Sequence, residues 1–194
     1  MTGTHILAAM HATRFDGRGS SEPRDLQLRD GTVHDAEAVE AVHYSSREAV
    51  YAGRTADWPP PGPDRKGRIE RWRAWLADND ISGLVAEQKG EVVGFCTIRP
   101  SEDDDATDRV AEMPTLYVRP DYWHRGLGRV LCEAGLGRAQ ARGFRELTLW
   151  VLEMNDRARD FYQKVGFTAD GATKVDELTS ERLVALRYRI DLGS

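Results

Sequence analysis

One segment of the chain, residues 117–128, joins a strand-like apolar run to a long helical pattern through a proline and two glycines. The run stops at Pro120, and Gly126 and Gly128 open the helical pattern. The first backbone N–H groups of a helix have no acceptor within that helix and carry the positive end of its dipole. Glycines leave these N–H groups uncovered, so a phosphate can approach them closely. The segment therefore predicts a strand–turn–helix unit with an anion site at the start of the helix.

The glycine spacing excludes two common phosphate-binding loops. A dinucleotide-binding fingerprint requires a third glycine, and a Walker P-loop requires Gly-Lys followed by Ser or Thr. Neither pattern is completed after Gly128, where Arg129 and Val130 follow. The segment consequently favours a pyrophosphate-bearing ligand of another kind.

The composition limits what surfaces the protein can offer. The 194 residues fit one domain with a single core, and 40% hydrophobic with 30% charged residues is typical of a soluble globular protein. A net charge of −5 argues against broad binding to nucleic acid or to an anionic membrane, which both require a basic surface. The apolar runs are all shorter than a membrane span. We expect a cytoplasmic protein.

Cysteine and histidine usage fits the same expectation. Cys96 and Cys132 fall on different predicted elements and are expected to be reduced and buried, with a disulfide between them as the alternative. The histidines lack the spacing of a metal site, so no metal is expected. Residues 1–23 mix glycine, serine, histidine and charges without periodicity. This composition predicts a flexible N-terminal extension before a domain at residues 24–191.

A second motif begins at Asn155, continues through Phe161 and Tyr162, and ends at Gly166 and Phe167. It follows the first segment after one predicted helix and one predicted strand. Together, in this order, the two segments resemble the acyl-CoA-binding motif and a second signature of the GNAT N-acetyltransferase superfamily. The resemblance covers most of the chain after the N-terminal extension.

Hydrophobic periodicity and turn residues predict the order β-α-α-β-β-β-α-β-α-β. Strand, helix and strand across residues 110–151 predict a parallel pair with a right-handed crossover, and flanking hairpins make the sheet mixed. The resemblance implies the same order in a single-domain α/β fold, with a mixed, mostly antiparallel sheet, a central parallel β-α-β unit and helices on both faces. Gly135 and Gly137, inside the third helix, suggest close packing of its backbone. Loops are predicted at residues 51–63, 101–108 and 168–180.

The resemblance implies acetyl-CoA as co-substrate and indicates its contacts. Backbone amides of residues 124–129 would hold the pyrophosphate, with the side chains of Arg125 or Arg129 either assisting or only solvated. Trp123 stands where the family commonly has Gln or Arg. The pantetheine arm would lie along the strand end like an added strand, and Asn155, which also suits a helix N-cap, would contact it. The expected cofactor-binding residues are Leu116, Tyr117, Val118, Trp123, His124, Arg125, Gly126, Leu127, Gly128, Arg129 and Asn155.

Two side chains are the expected catalytic residues. Tyr162 matches the tyrosine that, in the family, looks like the proton donor to departing coenzyme A, although its helical spacing also suits a core aromatic. Glu112, on the strand leading to the glycine turn, resembles the family's base, acting directly or through water. Burial beside the thioester would favour its protonated form. A solvent-facing strand residue is the alternative for Glu112.

The expected activity is acetyl transfer to a primary amine of a small molecule, by direct attack in a ternary complex. A non-catalytic acyl-CoA sensor, another acyl donor and a protein acceptor are the alternatives. Tyr51 and Trp58 would line the acceptor pocket, whereas Trp72 and Trp75 at helical spacing suit the core. The acidic residues 103–108 could attract a cationic amine or be solvated. Dimers are common among similar proteins, so a homodimer is one expected assembly.

Overall fold

The computed structural model describes residues 25–55, 62–176 and 182–193. The strands are β1 Leu26–Asp30, β2 Ser82–Gln88, β3 Glu91–Pro100, β4 Val110–Val118, β5 Glu146–Leu152, β6 Thr168–Asp176 and β7 Leu183–Asp191. The helices are α1 Ala36–Tyr51, α2 Arg65–Ala77, α3 Leu127–Ala141 and α4 Asp156–Val165. The predicted extension at residues 1–23 lies outside the described residues.

The strands form one mixed sheet in the order β1-β2-β3-β4-β5-β7-β6. Neighbouring strands are antiparallel except β4 and β5, which run parallel on either side of the crossover helix α3. This confirms the predicted single-domain α/β fold with a mostly antiparallel sheet and a central parallel β-α-β unit.

The prediction of a loop at residues 168–180 was wrong for its first part, because β6 pairs with β7 along residues 168–176. The segment carries few apolar residues, and its register with β7 shifts between Ala169 and Thr173. Such a strand at the sheet edge has neither the alternation nor the unbroken pairing that sequence patterns detect. Its β-structure depends on pairing with β7.

Polar side chains set the starts of the helices as the sequence indicates. Thr32 and Asp35 form a capping box on a short 3-10 turn, Val33–Asp35, that runs directly into α1. The side chain of Asp64 accepts a hydrogen bond from the N–H of Gly67 at the start of α2 (2.8 Å). At the end of α4, Gly166 adopts a left-handed φ of 116°, which a glycine C-cap provides without strain.

Helices cover both faces of the sheet. Phe95 of β3 belongs to a cluster with residues of α1 and α2, whereas its neighbour Cys96 packs with Leu127 and Leu131 of α3. Adjacent residues of a strand point to opposite faces, so α1 and α2 lie on one face and α3 on the other. Tyr162 of α4 joins a further cluster with Cys132 of α3. The predicted helices on both faces are confirmed.

The two glycines inside α3 differ in their surroundings. A Cβ at Gly135 would lie 2.7 Å from Cε of Met113 and 3.3 Å from Cδ1 of Ile98, whereas nothing lies within 4 Å of a Cβ at Gly137. Alanine in a helix interior is about 1 kcal/mol more favourable than glycine, and overpacking a core costs roughly 1–3 kcal/mol. We therefore expect Gly137→Ala to raise the free energy of unfolding by about 1 kcal/mol relative to the native chain. The free energy of unfolding of Gly135→Ala should be about 1–3 kcal/mol lower than that of Gly137→Ala.

Urea unfolding of both variants beside the native chain measures this difference. The two substitutions are chemically identical and lie two residues apart in one helix, so each controls for the other. Equal stability of the two variants would contradict the close packing of Gly135.

Candidate active site

A gap opens in the middle of the sheet. β4 pairs with β5 only at residues 110–112, opposite residues 146–148. Within the described part of the chain, residues 115–118 of β4 pair on one side only, with β3. The register between β3 and β4 shifts between Thr97 and Arg99, opposite Pro114, which cannot donate a hydrogen bond to a strand ladder and so suits a bulge. β4 therefore presents one unpaired backbone edge.

The turn between β4 and α3 has uncovered backbone donors. Gly126 is the N-cap of α3 with a left-handed φ of 81°, and no side chain caps the helix there. His124 also has a positive φ, of 61°. Among the described residues, no acceptor pairs with the N–H groups of residues 124–128, whereas the N–H of Arg129 bonds to the carbonyl of Gly126 (3.0 Å). Five of the six amides expected to hold a pyrophosphate are thus unpaired.

The carbonyl of Val118 at the end of β4 is already bonded. It accepts the indole N–H of Trp123 (2.7 Å) and the hydroxyl of Ser46 (2.9 Å). The next N–H, of Arg119, donates to Val93 on β3, so the Val118 carbonyl points away from β3. Because strand residues alternate, the N–H and C=O of Leu116 and the N–H of Val118 also face the gap.

Tyr117, by this alternation, directs its backbone groups toward β3. Of the three strand residues expected to meet a pantetheine arm, Leu116 is therefore the one whose backbone N–H and C=O both remain available on the gap side.

A first cavity of about 430 Å³ extends from the glycine turn to the gap. Cationic side chains lie on its lining: Arg129, Lys164 and Arg157. The guanidinium of Arg157 lies 3.5 Å from the ring centre of Trp123, and burial lowers its pKa from the ordinary value. Arg125 instead lies over the Tyr122 ring, 5.3 Å from its centre. The cavity combines unpaired amides with positive charge, as an anionic ligand requires.

A second cavity of about 560 Å³ lies on the other side of the gap. Both cavities are lined by Leu116 and Tyr117 of β4, by Asn155 and Ala158 at the start of α4, and by Tyr162. The phenol of Tyr162 consequently lies where the two cavities meet. A molecule in the first cavity and another in the second would approach each other beside this tyrosine.

Tyr162 is largely buried, with 9% of its surface exposed. Burial raises the pKa of its phenol well above the ordinary value, so the group stays protonated at neutral pH. Its ring packs edge-to-face against Phe161 and Phe167. The hydroxyl has no hydrogen-bond partner among the described residues, which leaves its proton available to a group in the cavities.

Glu112 lines the second cavity and is buried, with 6% of its surface exposed. Its Oε2 accepts hydrogen bonds from Nε (3.3 Å) and Nη2 (3.0 Å) of Arg99. Both bonds end on the same carboxylate oxygen. The expected solvent-facing alternative for Glu112 is wrong, because the side chain faces the cavity and is ion-paired.

Comparison with known protein families identifies the family to which this chain belongs. Residues 47–167 match the model of the Acetyltransferase (GNAT) family, and this match covers more than half of the chain. The protein is a GNAT acetyltransferase family member. Among curated relatives, mycothiol acetyltransferase of Amycolatopsis mediterranei is 31% identical over an alignment of 180 residues, and the match covers 86% of this chain. The chain spans only 56% of that relative's length.

Solved structures of the GNAT family share the fold. The protein yncA of Salmonella typhimurium, solved with its cofactor acetyl-CoA, superposes with a TM-score of 0.68 at 19% identity, over 88% of this chain and 95% of that one. An N-acetyltransferase (paia) of Thermoplasma acidophilum in complex with coenzyme A has a TM-score of 0.62 at 22% identity, over 84% and 98% of the two chains. At these identities the likeness establishes the fold alone.

The GNAT motif residues mostly come together as expected. The residues expected to bind the cofactor that line the first cavity are Leu116, Tyr117, Val118, Trp123, His124, Gly126, Leu127, Gly128, Arg129 and Asn155. Arg125 is absent from this lining. Asn155 also caps α4, since its Oδ1 accepts a hydrogen bond from the N–H of Ala158 (3.2 Å). Its cap role and its position on both cavities are compatible.

A cluster on α1 and α2 was missed in the sequence. Glu40 has 1% of its surface exposed and lies between Arg68, which donates to its Oε1, and the indole N–H of Trp72, which donates to its Oε2 (3.0 Å). His43, one turn along α1, brings its Nδ1 to 3.8 Å from the same Oε2. The signal that the sequence offered was a glutamate three residues before a histidine, next to Val39 and Val42 on the same predicted helix.

Other expectations about the acceptor side change. The acidic loop is not simply solvated: Asp103 and Asp105 accept hydrogen bonds from Nη1 of Arg187 on β7 (3.1 and 2.6 Å). Arg187 also donates to Asp170 of β6 (2.7 Å), so one guanidinium is shared by three carboxylates and ties the acidic loop to the sheet. Trp72 and Trp75, which were expected in the core, also line the second cavity. Tyr51, which was expected in the acceptor pocket, lines the same cavity. Trp58 lies outside the described residues.

Both cysteines are free and buried, which agrees with the expected reduced thiols. Burial raises the pKa of Cys132 to about 12, and neither cysteine lines either cavity. In the described ranges, no group of three or more potential metal ligands is found. Across the same ranges, every helix is too short or too polar to traverse a bilayer.

Proposed function

We propose that this chain is an acetyl-CoA-dependent N-acetyltransferase that acetylates a primary amine of a small molecule by direct attack in a ternary complex. The observation that carries the proposal is that the first cavity connects the unpaired backbone amides of the turn to the protonated phenol of Tyr162. The amides of residues 124–128 open into the first cavity, the unpaired edge of β4 runs along it, and Tyr162 lies at its junction with the second cavity.

The residues present suit acetyl-CoA. The helix start and the nearby cations Arg129, Arg157 and Lys164 match a pyrophosphate and a further phosphate. The open edge of β4 at Leu116 offers one N–H and one C=O to an extended amide-containing arm, which would add to the sheet like a strand. The bound co-substrate supplies the thioester that reacts.

Groups of the chain itself can then assist the attack on the thioester and the departure of the sulfur. A backbone N–H on the gap side of β4, at Leu116 or Val118, would face the thioester oxygen and stabilise the negative charge that develops on it. Tyr162 would donate its proton to the departing sulfur. Because both thiols are buried away from the cavities, an acyl-cysteine intermediate has no nucleophile here, which favours direct attack.

A base must take the proton of the acceptor ammonium in the second cavity, and two groups there can do so. Glu112 is the base expected from the sequence. Both hydrogen bonds from Arg99 end on its Oε2, so its Oε1 could take the proton directly or through a water. His43 is the other candidate, with a neutral imidazole as the proton acceptor.

Mycothiol acetyltransferase is a much longer protein, so its acceptor is only one candidate here. We propose a small-molecule amine, a cytoplasmic location and a homodimer as working assignments.

A panel of amines, incubated with the protein and acetyl-CoA, tests the activity by following released thiol. The panel includes the acceptor substrate of mycothiol acetyltransferase, together with amino acids, polyamines and peptide N-termini. We expect thiol release with at least one small amine and the matching amide by mass spectrometry. Tight acetyl-CoA binding without thiol release from any acceptor would favour a non-catalytic sensor. Release only with peptides would favour a protein acceptor.

A further inference from the structure

The cluster around Glu40 has the composition of a proton-accepting pair. Glu40 is almost completely buried, and both of its carboxylate oxygens are engaged, one by Arg68 and one by Trp72. Burial acts to raise the pKa of Glu40, but His43 and Arg68 outweigh it and lower the pKa, so the carboxylate is held in position and ionised. It lies next to one side of the His43 ring, at 3.8 Å from Nδ1.

The position of His43 directs it toward the reaction. Its ring packs edge-to-face against Tyr117 of β4, with ring centres 4.8 Å apart, and against Trp72, with centres 5.2 Å apart. It lines the second cavity, on the acceptor side of the gap. Because Nδ1 faces the carboxylate of Glu40, the N–H of the neutral ring belongs on Nδ1 and the lone pair on Nε2. Nε2 has no partner among the described residues.

We propose that His43 is the base that takes the proton of the acceptor ammonium, with Glu40 as the residue that positions it. The inference rests on the proposed acetyl transfer and names the group that deprotonates the acceptor. Glu112 is the poorer candidate, since its Oε2 is ion-paired to Arg99. Nε2 of His43 carries no such competing donor.

The proton balance is complete with groups already described. Nε2 of His43 takes one proton from the ammonium, and the free amine attacks the thioester carbon. As the C–S bond breaks, the sulfur takes the phenolic proton of Tyr162. The nitrogen's second proton returns to the phenolate of Tyr162, directly or through a water. His43 releases its proton to solvent through the open second cavity, so one proton is released per amide formed.

The charges around His43 favour its neutral form. Burial is the main cause that lowers the pKa of His43 below its ordinary value, and the positive charges of Arg47 on α1 and Arg68 on α2 act in the same direction. Glu40 opposes them, and the ring of Tyr117 on β4 packs edge-to-face against the imidazole. A base with a pKa below about 6.5 is already deprotonated at pH 7. Activity should therefore fall only when the pH drops below this range.

The pH dependence of kcat/KM is the test, measured with the best amine of the panel. For the native chain we expect an ascending limb below pH 6.5. In His43→Gln we expect about a 100-fold loss of kcat/KM at pH 7, in the range of general-base catalysis. Its ascending limb should move toward the pKa of the acceptor amine, because only amine that is already neutral reacts.

Two further variants separate positioning from chemistry. Glu40→Gln removes the charge that favours the imidazolium, so its ascending limb should move to lower pH than that of the native chain. In Glu112→Gln, the ascending limb of the kcat/KM profile should stay at the same pH as in the native chain. An NMR titration of the imidazole nitrogens, in the absence of substrates, should show the N–H on Nδ1 of His43 and a pKa below 6.5. Calorimetric acetyl-CoA affinity and thermal unfolding show whether each variant is intact.

The outcomes distinguish this inference from the function it depends on. An unchanged limb in an intact His43→Gln protein that still releases thiol would overturn the assignment of His43 and leave acetyl transfer standing. Loss of the limb in Glu112→Gln instead would transfer the role to Glu112. Failure of the native chain to acetylate any amine would remove the proposed function and this inference together.

Discussion

Replacing Tyr162 by phenylalanine should lower kcat by about 100-fold while leaving the affinity for acetyl-CoA nearly unchanged. General acid catalysis contributes roughly 10²- to 10⁴-fold to a rate, and this variant removes only the proton that the departing sulfur would take. The fold should tolerate the change, because the hydroxyl has no hydrogen-bond partner within the described chain and the ring keeps its contacts with Phe161 and Phe167. Steady-state kinetics and calorimetric titration with acetyl-CoA measure the two quantities.

Tyr188→Phe is the matched control. Tyr188 belongs to the same core cluster as Tyr162 and is even more buried, but it lines neither cavity. Its hydroxyl bonds to the side chain of Gln163 (3.3 Å), so its loss should cost some stability and little activity. If Tyr162→Phe turned over as fast as Tyr188→Phe, the proton would have to come from elsewhere.

Gly126→Asp should weaken acetyl-CoA binding at least tenfold relative to Gly126→Asn. Aspartate and asparagine tolerate the left-handed φ of 81° better than other side chains, and nothing lies within 4 Å of a Cβ here. The two variants therefore share size and strain, and they differ only by one negative charge beside the unpaired amides. At roughly 5 Å from a phosphate charge the repulsion is about 3 kcal/mol with an effective dielectric constant of about 20, reduced further by solvent at this open turn.

Calorimetric titration of both variants with acetyl-CoA, at low and at high salt, measures this effect. Each 1.4 kcal/mol changes the affinity tenfold, and added salt should narrow the difference between the variants. Equal affinities at low salt would mean that the pyrophosphate binds elsewhere and that the turn between β4 and α3 has another role.

Local patterns in the sequence were sufficient for several features of the fold and the site. The turn at Pro120 and Gly126, the cap at Asn155 and the C-cap at Gly166 follow from backbone requirements that act within a few residues. Pro114 is compatible with either a sheet edge or a bulge because a proline cannot donate to a strand ladder, and the structure has a bulge there. The position of Tyr162 beside this turn followed from the order of two motifs.

Contacts between residues far apart in the chain were decided by the packing of elements against each other. The partnership of Glu112 with Arg99, of Asp105 with Arg187, and of His43 with Tyr117 depends on which strands and helices become neighbours. The edge strand β6 likewise exists through its pairing with β7. A local pattern encodes the conformation of its own segment, whereas the charge and burial of a side chain arise from every element that surrounds it. The sequence alone therefore located the turn proposed to bind an anion and the residue proposed as the acid, and the folded chain was needed to compare the two candidate bases.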